Sequence, residues 1–171
     1  SVDVPSVFAE YTFAQGSTIG VEYIPGDAVI GNKTRVHTAN TGTPNTGHRS
    51  AGTVRAKANV SDHITFYVEP TYMMNEQFGI YVKGGAARVT VESKESIAFG
   101  ADSSTYGDKN VFGGVYGAGI KVNTPFGMFV KVEHTKYEYE QINLTSATGN
   151  QNTISADLDA TSTRLAVGYN F

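Results

Sequence analysis

The sequence predicts an all-β chain folded as an antiparallel up-and-down meander. Three observations lead there. Apolar residues recur at every second position along nearly the whole chain, the signature of a strand with two unlike faces. No window of about 11 residues repeats them at i, i+3, i+4 and i+7 between recognisable caps, so helix signals are missing. Glycine, at 19 residues, and tyrosine, at 10, are abundant while tryptophan is absent, a balance suited to twisted strands and turns.

The elements follow in order. The first strand runs from Pro5 to Ala14, with Val7, Ala9, Tyr11 and Phe13 on one face and Ser6, Glu10 and Thr12 on the other, and "AQGS" turns it around. The second starts near Thr18, sets Ile19, Val21 and Tyr23 against Gly20 and Glu22, and fades around Ile30. Gly31 to His48, rich in Asn, Thr, Gly and Pro, reads as a long loop. Ala51 to Met74 keeps one phase throughout. Val54, Ala56, Ala58, Val60, Ile64, Phe66 and Val68 oppose Arg55, Lys57, Asn59, His63, Thr65 and Glu69, and only Asp62 breaks the apolar face. A two-residue hairpin loop at "VSDHI" would flip that phase, so the segment is expected to be one long strand.

"MNEQFG" turns the chain into Ile80 to Ser93, whose phase blurs near Val89, where a bulge is expected. "ESIAFGADSSTYGDK" is a second polar loop. "VFGGVYGAGIKV" then places Phe112, Tyr116, Ala118, Ile120 and Val122 opposite Gly113, Val115, Gly117, Gly119 and Lys121, and "NTPFG" is another tight turn. The next strand sets Met128, Val130 and Val132 against Phe129, Lys131 and Glu133, and continues through "KYEYEQIN" to a third loop at "TSATGNQN". The last strand runs from about Thr153 to Phe171.

Composition narrows the class. A chain of 171 residues with 40% hydrophobic and 17% charged residues fits one domain over 1–171 and is no disordered tail. A net charge of −3 with dispersed Lys and Arg excludes a nucleic-acid footprint. The lack of Cys removes disulfides, thiolate metal sites and cysteine nucleophiles, and no run reaches the roughly 20 apolar residues of a membrane helix. Connections alternating short and long, with turns at one end and loops at the other, are instead the layout of a transmembrane β-barrel. Apolar positions interleaved with polar ones reconcile that reading with a mean hydropathy of −0.23.

The chain ends "RLAVGYNF", with Leu165, Val167, Tyr169 and Phe171 on one face. This ending, together with "VEPTYMMNEQFGIYVKGGAARV", resembles the small outer-membrane barrels of Gram-negative bacteria, the opacity-protein and outer-membrane-protein-A-like superfamily. The likeness covers essentially the full length. It implies eight antiparallel strands, a bacterial outer-membrane location, and a C-terminal signature of Leu165, Val167, Tyr169 and Phe171 read by the barrel-assembly machinery. Seven strands are visible, and bacterial single-chain barrels are even-numbered, so an upward strand preceding Ser1 is expected outside this chain. Splitting Ala51 to Met74 at Asp62 would also give eight, but would put the long Gly31 to His48 loop on the periplasmic side.

With apolar faces toward lipid, the lumen receives Glu10, Glu22, Arg55, Lys57, Glu69, Lys83, Lys121, Lys131, Glu133 and Arg164. An eight-stranded barrel is only just wide enough for side chains to fill, so these charges are expected to pair rather than line a pore, with Gly113, Gly117 and Gly119 leaving room. Tyr11, Phe13, Tyr23, Phe66, Tyr72, Phe112, Tyr116, Phe126, Tyr169 and Phe171 supply interfacial girdles. No catalytic, cofactor or metal set emerges. "GGVYGAG" lacks the GxGxxG spacing and a following helix, Asp102, Asp108, Asp157 and Asp159 lack a calcium-loop order, and His134 on the apolar face reads as an interfacial histidine. The expected role is structural or surface-interactive and not enzymatic. Expected partners are outer-membrane lipid and lipopolysaccharide, the assembly machinery, and a host, phage or neighbouring surface protein. A narrow diffusion channel, a lipid-modifying enzyme using His134 and a soluble lipocalin-like carrier are the rivals.

Overall fold

The computed structural model describes residues 3–37, 52–97, 107–145 and 153–170, and these are strands and their connections. In order they are β1 (Val7–Thr12), β2 (Thr18–Ile24), β3 (Ala28–His37), β4 (Gly52–Glu69), β5 (Thr71–Met73), β6 (Phe78–Ile97), β7 (Asp108–Asn123), β8 (Met128–Tyr139), β9 (Ile142–Thr145), β10 (Thr153–Ala156) and β11 (Asp159–Tyr169). Every ladder is antiparallel, and the main path is β1-β2-β4-β6-β7-β8-β11, with β3 on β4 and β5 on β6. β9 and β10 form a separate hairpin. The sheet curls as an up-and-down barrel does. β1 and β11 both run toward the short-turn end, and among the described residues no ladder joins them.

Local chemistry closes the short turns. Gly16 and Gly127 adopt φ of 88° and 83°, a left-handed backbone open to glycine at no steric cost. Each N–H bonds back to the residue three before it, Gly16 to Phe13 and Gly127 to Thr124. In the third turn the Asn75 side chain accepts from the Gln77 and Phe78 N–H groups, so a side chain takes over the role of a backbone carbonyl.

Burial follows the predicted alternation. Along β8, Phe129, Lys131, Glu133, Thr135 and Tyr137 are buried while Met128, Val132 and His134 are exposed. The exposed face carries Ile19, Phe66, Val68, Ile80, Val82, Ile120, Val122, Leu165 and Val167, an apolar belt with its charges turned inward. The predicted girdle residues from Tyr11 to Tyr169 all lie on that outer surface, Phe126 at 81% exposure; Phe171 lies outside the described residues. An arginine in this belt, Val132→Arg, is expected to cost about 2–4 kcal/mol of stability in lipid bilayers. Val132→Leu is expected to leave stability unchanged, and urea titration of vesicle-folded protein compares the two.

Two expectations are corrected. The long loops are shorter at their bases than the polar composition implied, because β3 continues to His37, β6 reaches Ile97 and β7 begins at Asp108. Pairing against the 18-residue β4 supplies the hydrogen bonds that hold "GNKTRVH" extended despite its loop-like composition. The bulge expected near Val89 sits on the neighbouring strand: β6 pairs with β7 without a break, whereas the β4–β6 register slips between Ser61 and Ile64, opposite Val89. Asp62 takes up the irregularity at φ 51° and accepts a hydrogen bond from Tyr23 Oη. From Gly52 to Met73 the segment is otherwise the single long strand expected, interrupted only at Pro70 between β4 and β5.

Inward glycines and aromatics interlock across neighbouring strands. Gly20 stands directly opposite Tyr67, Gly119 opposite Tyr81, Gly113 opposite Tyr139 and Gly168 opposite Phe129. A methyl group on any of the four would run into the ring it faces. Each ring therefore occupies space that a side chain on the opposing strand would need, which helps to fill the lumen.

Candidate functional site

The lumen has two layers. Toward the short turns lies a charged layer assembled from seven strands. Lys83 on β6 has its Nζ 3.0 Å from Glu133, 3.7 Å from Glu69 and 3.8 Å from Glu22. Lys131 on β8 donates to Glu10 Oε1 at 2.6 Å and to Glu69 Oε2 at 2.5 Å. Arg164 on β11 lies 2.6 Å from Glu22 and 2.9 Å from Glu133. Its N–H bonds are not aligned on those oxygens, so charge more than directed hydrogen bonding holds it. Lys121 on β7 sits over the Phe129 ring at 4.5 Å.

Burial makes this layer consequential. Lys131 is 0% exposed and Glu69 1%, and a buried charge is tolerable only when paired. Tyrosines complete the pairing: Tyr67 Oη donates to Glu10 at 2.7 Å and Tyr81 Oη donates to Glu133 at 2.9 Å. Lys83 also rests 3.8 Å from the Tyr67 ring centre, a cation–π contact in a desolvated setting. The layer ties together the two edges of the sheet. Glu10 and Phe8 on β1 meet Lys131 and Phe129 on β8, and Arg164 on β11 lies 5.3 Å from the Phe8 ring.

Toward the loops the lumen turns apolar. Val89, Val91, Val111, Ile142 and Leu144 form a buried cluster with Val60, Tyr139 and Leu158 against it. Between the layers, His63 Nε2 meets Tyr139 Oη at 2.7 Å, and the His63 ring lies edge-on to Tyr137 with centres 5.1 Å apart. The apolar layer was not foreseen. Val89, Val91 and Val111 fall on the inward parity, but a valine reads alike on either face of a strand, and the break at 140–141 shifts the phase that turns Ile142 and Leu144 inward.

The structure thus brings together Glu10, Glu22, Glu69, Lys83, Lys121, Lys131, Glu133 and Arg164. Arg55 and Lys57 are a correction: their backbone positions pair with Ser96 and Lys94, about 40 Å of strand beyond Glu69, so they do not belong to this layer. Their side chains lie outside the described residues. Sequence reasoning also missed Tyr67 and Tyr81 as partners of the buried carboxylates; the inward parity of Tyr81 beside Lys83 was the available signal. Leu165, Val167 and Tyr169 face outward. His134 is exposed, with Nδ1 2.9 Å from Thr163 Oγ1. Asp157 accepts from Gln141, Asp102 lies outside the described residues, and among those described no group of three metal-ligating side chains gathers.

An apolar outer belt, a charge-paired interior and turns short at one end define an integral membrane barrel protein. The chain belongs to the outer membrane protein beta-barrel domain family, whose model matches residues 5–171, and its place is the bacterial outer membrane. No curated protein and no solved structure matches it.

Proposed function

We propose that the protein is a non-conducting, non-enzymatic barrel that anchors polar loops at the cell surface for structural contact or recognition by a host, phage or neighbouring surface protein. The observation that carries this reading is the lumen itself: Lys83 held among three carboxylates, with an apolar cluster between it and the loop end. A hydrated ion passing through would have to break buried pairs and wet a dry layer. The strands rise well past the bilayer. β6 has 20 residues where about 9–11 cross a membrane, so the surplus presents material outside. Reconstituted into planar bilayers, the protein is expected to show no discrete openings; steady ohmic conductance scaling with inserted copies would establish the channel reading instead.

A further inference from the structure

β8 has 12 residues, about the length that crosses a membrane, and at its loop end the chain leaves the barrel wall. The β7–β8 ladder stops at Gly113 and Tyr139, the Glu140 N–H donates to the Phe112 carbonyl, and beyond that point β9 pairs with β10 alone among the described residues. A bulge marks the departure. Between the pairs Glu138 with Asp159 and Ile142 with Ala156, three residues on one side, 139–141, stand against two on the other, 157–158. One extra residue exchanges the faces of everything beyond it. In β8 the odd-numbered positions 129–137 are buried, whereas in β9 Ile142 and Leu144 are buried against Val89, Val91 and Val111, and Gln141 and Asn143 are exposed.

β9 has a second place to go. Among the described residues, β7 from Asp108 to Val111 is paired with β6 on one side and carries no ladder on the other. Continuing the β7–β8 register along that edge would set Gln141 opposite Val111, Ile142 opposite Asn110, Asn143 opposite Lys109 and Leu144 opposite Asp108. Directly paired residues share a face, so Gln141 and Asn143 would then line the lumen, and Ile142 and Leu144 would stand outside with the exposed Asn110 and Asp108. Each place meets a need the other leaves open: one buries two aliphatic side chains, the other completes backbone hydrogen bonds. The distance between them is short, since Lys109 Nζ already donates to the Asn143 carbonyl at 3.2 Å. Room for a hinge lies at the bend, where Phe112, Gly113, Gly114, Glu138, Tyr139 and Glu140 line a cleft of about 420 Å³. The geometry points to the β9–β10 arm as a two-position flap over the loop-side mouth of the lumen, shut while Ile142 and Leu144 sit on the valines and open when β9 zips onto β7. The inference goes beyond the display reading. Access to the valines, not conductance, is what changes, because the charged layer lies beneath the flap.

The test uses the full chain folded in phosphatidylcholine nanodiscs, where both ends of the barrel meet water. The chain has no cysteine of its own, so introduced thiols report without background. A charged methanethiosulfonate is expected to modify Val111→Cys about tenfold or more slowly than Asn110→Cys, its exposed neighbour on the same strand. Adding Ile142→Ser and Leu144→Ser to Val111→Cys is expected to raise the rate about tenfold or more, because the side chains that hold the flap shut are gone. Equal rates for the two single variants would show that nothing covers the mouth, and an unchanged rate in the triple variant would show that the arm is not the cover; either result overturns the proposal. The open position has its own readout. Asn110→Cys and Ile142→Cys lie on opposite faces when the flap is shut and come within disulfide reach in the continued register, so mild oxidation is expected to join them in the double variant. A pair that stays reduced would overturn the second position. This pair keeps the test decisive should the serine variant fail to fold, which circular dichroism and gel mobility report.

Discussion

Lys83→Met is expected to destabilise the folded barrel by about 3–5 kcal/mol, because it strips the shared cation from three carboxylates that cannot reach water. The loss reflects mainly the unpaired charges and not the missing attraction. Lys83→Met combined with Glu133→Gln removes one charge of each sign, and is expected to recover a large part of the deficit. Unfolding in urea, followed by far-ultraviolet circular dichroism because the chain has no tryptophan, gives both numbers. Equal stability of the parent and Lys83→Met would show that water reaches this layer and that the lumen is open.

Gly119→Val carries the second large effect, about 3 kcal/mol. A Cβ at this position would come 2.5 Å from the Tyr81 ring and 2.7 Å from the Val132 carbonyl oxygen, and the latter is backbone that cannot swing away. Moving Tyr81 also breaks its hydrogen bond to Glu133, so overpacking and a lost partner of a buried carboxylate act together. Gly114→Ala is the matched control. It lies on the same strand facing outward, where a Cβ meets nothing within 4 Å, and a change within about 0.5 kcal/mol is expected. Similar losses at both positions would mean that the strand's glycines are needed for backbone freedom and not for the ring opposite.

Much of the molecule was legible because a strand's two faces meet different solvents. Parity alone assigned Glu10, Glu22, Glu69, Lys83, Lys121, Lys131, Glu133 and Arg164 to the interior, and the girdle aromatics to the outside. Parity carries no information about height. Arg55 shares its parity with Glu69 and was therefore placed in the same layer, although register puts it at the far end of β4. Tyrosine was ambiguous for a different reason. Tyr72 and Tyr81 are the same residue type near the same turn, one exposed at the belt's edge and one buried on a carboxylate; parity separates their faces, and the opposing Gly119 marks the space that Tyr81 fills. The Gly31 to His48 segment was misjudged at its start because loop-like composition yields to a partner strand that supplies its hydrogen bonds.

The wiring of the charged layer also constrains how the molecule can enter a bilayer. Lys131 is bonded to Glu10, 121 positions away, and Lys83 to Glu133, 50 positions away, so apart from Glu69 and Lys83 on neighbouring β4 and β6 the charges find their partners across distant strands. A partly inserted chain would face hydrocarbon with bare ammonium and carboxylate groups, at a cost no adjacent turn could offset. Translocation one hairpin at a time is therefore disfavoured. The layer is fully neutralised only when β11 brings Arg164 to Glu22 and Glu133, so the last strand completes an interior that the earlier ones leave short of positive charge.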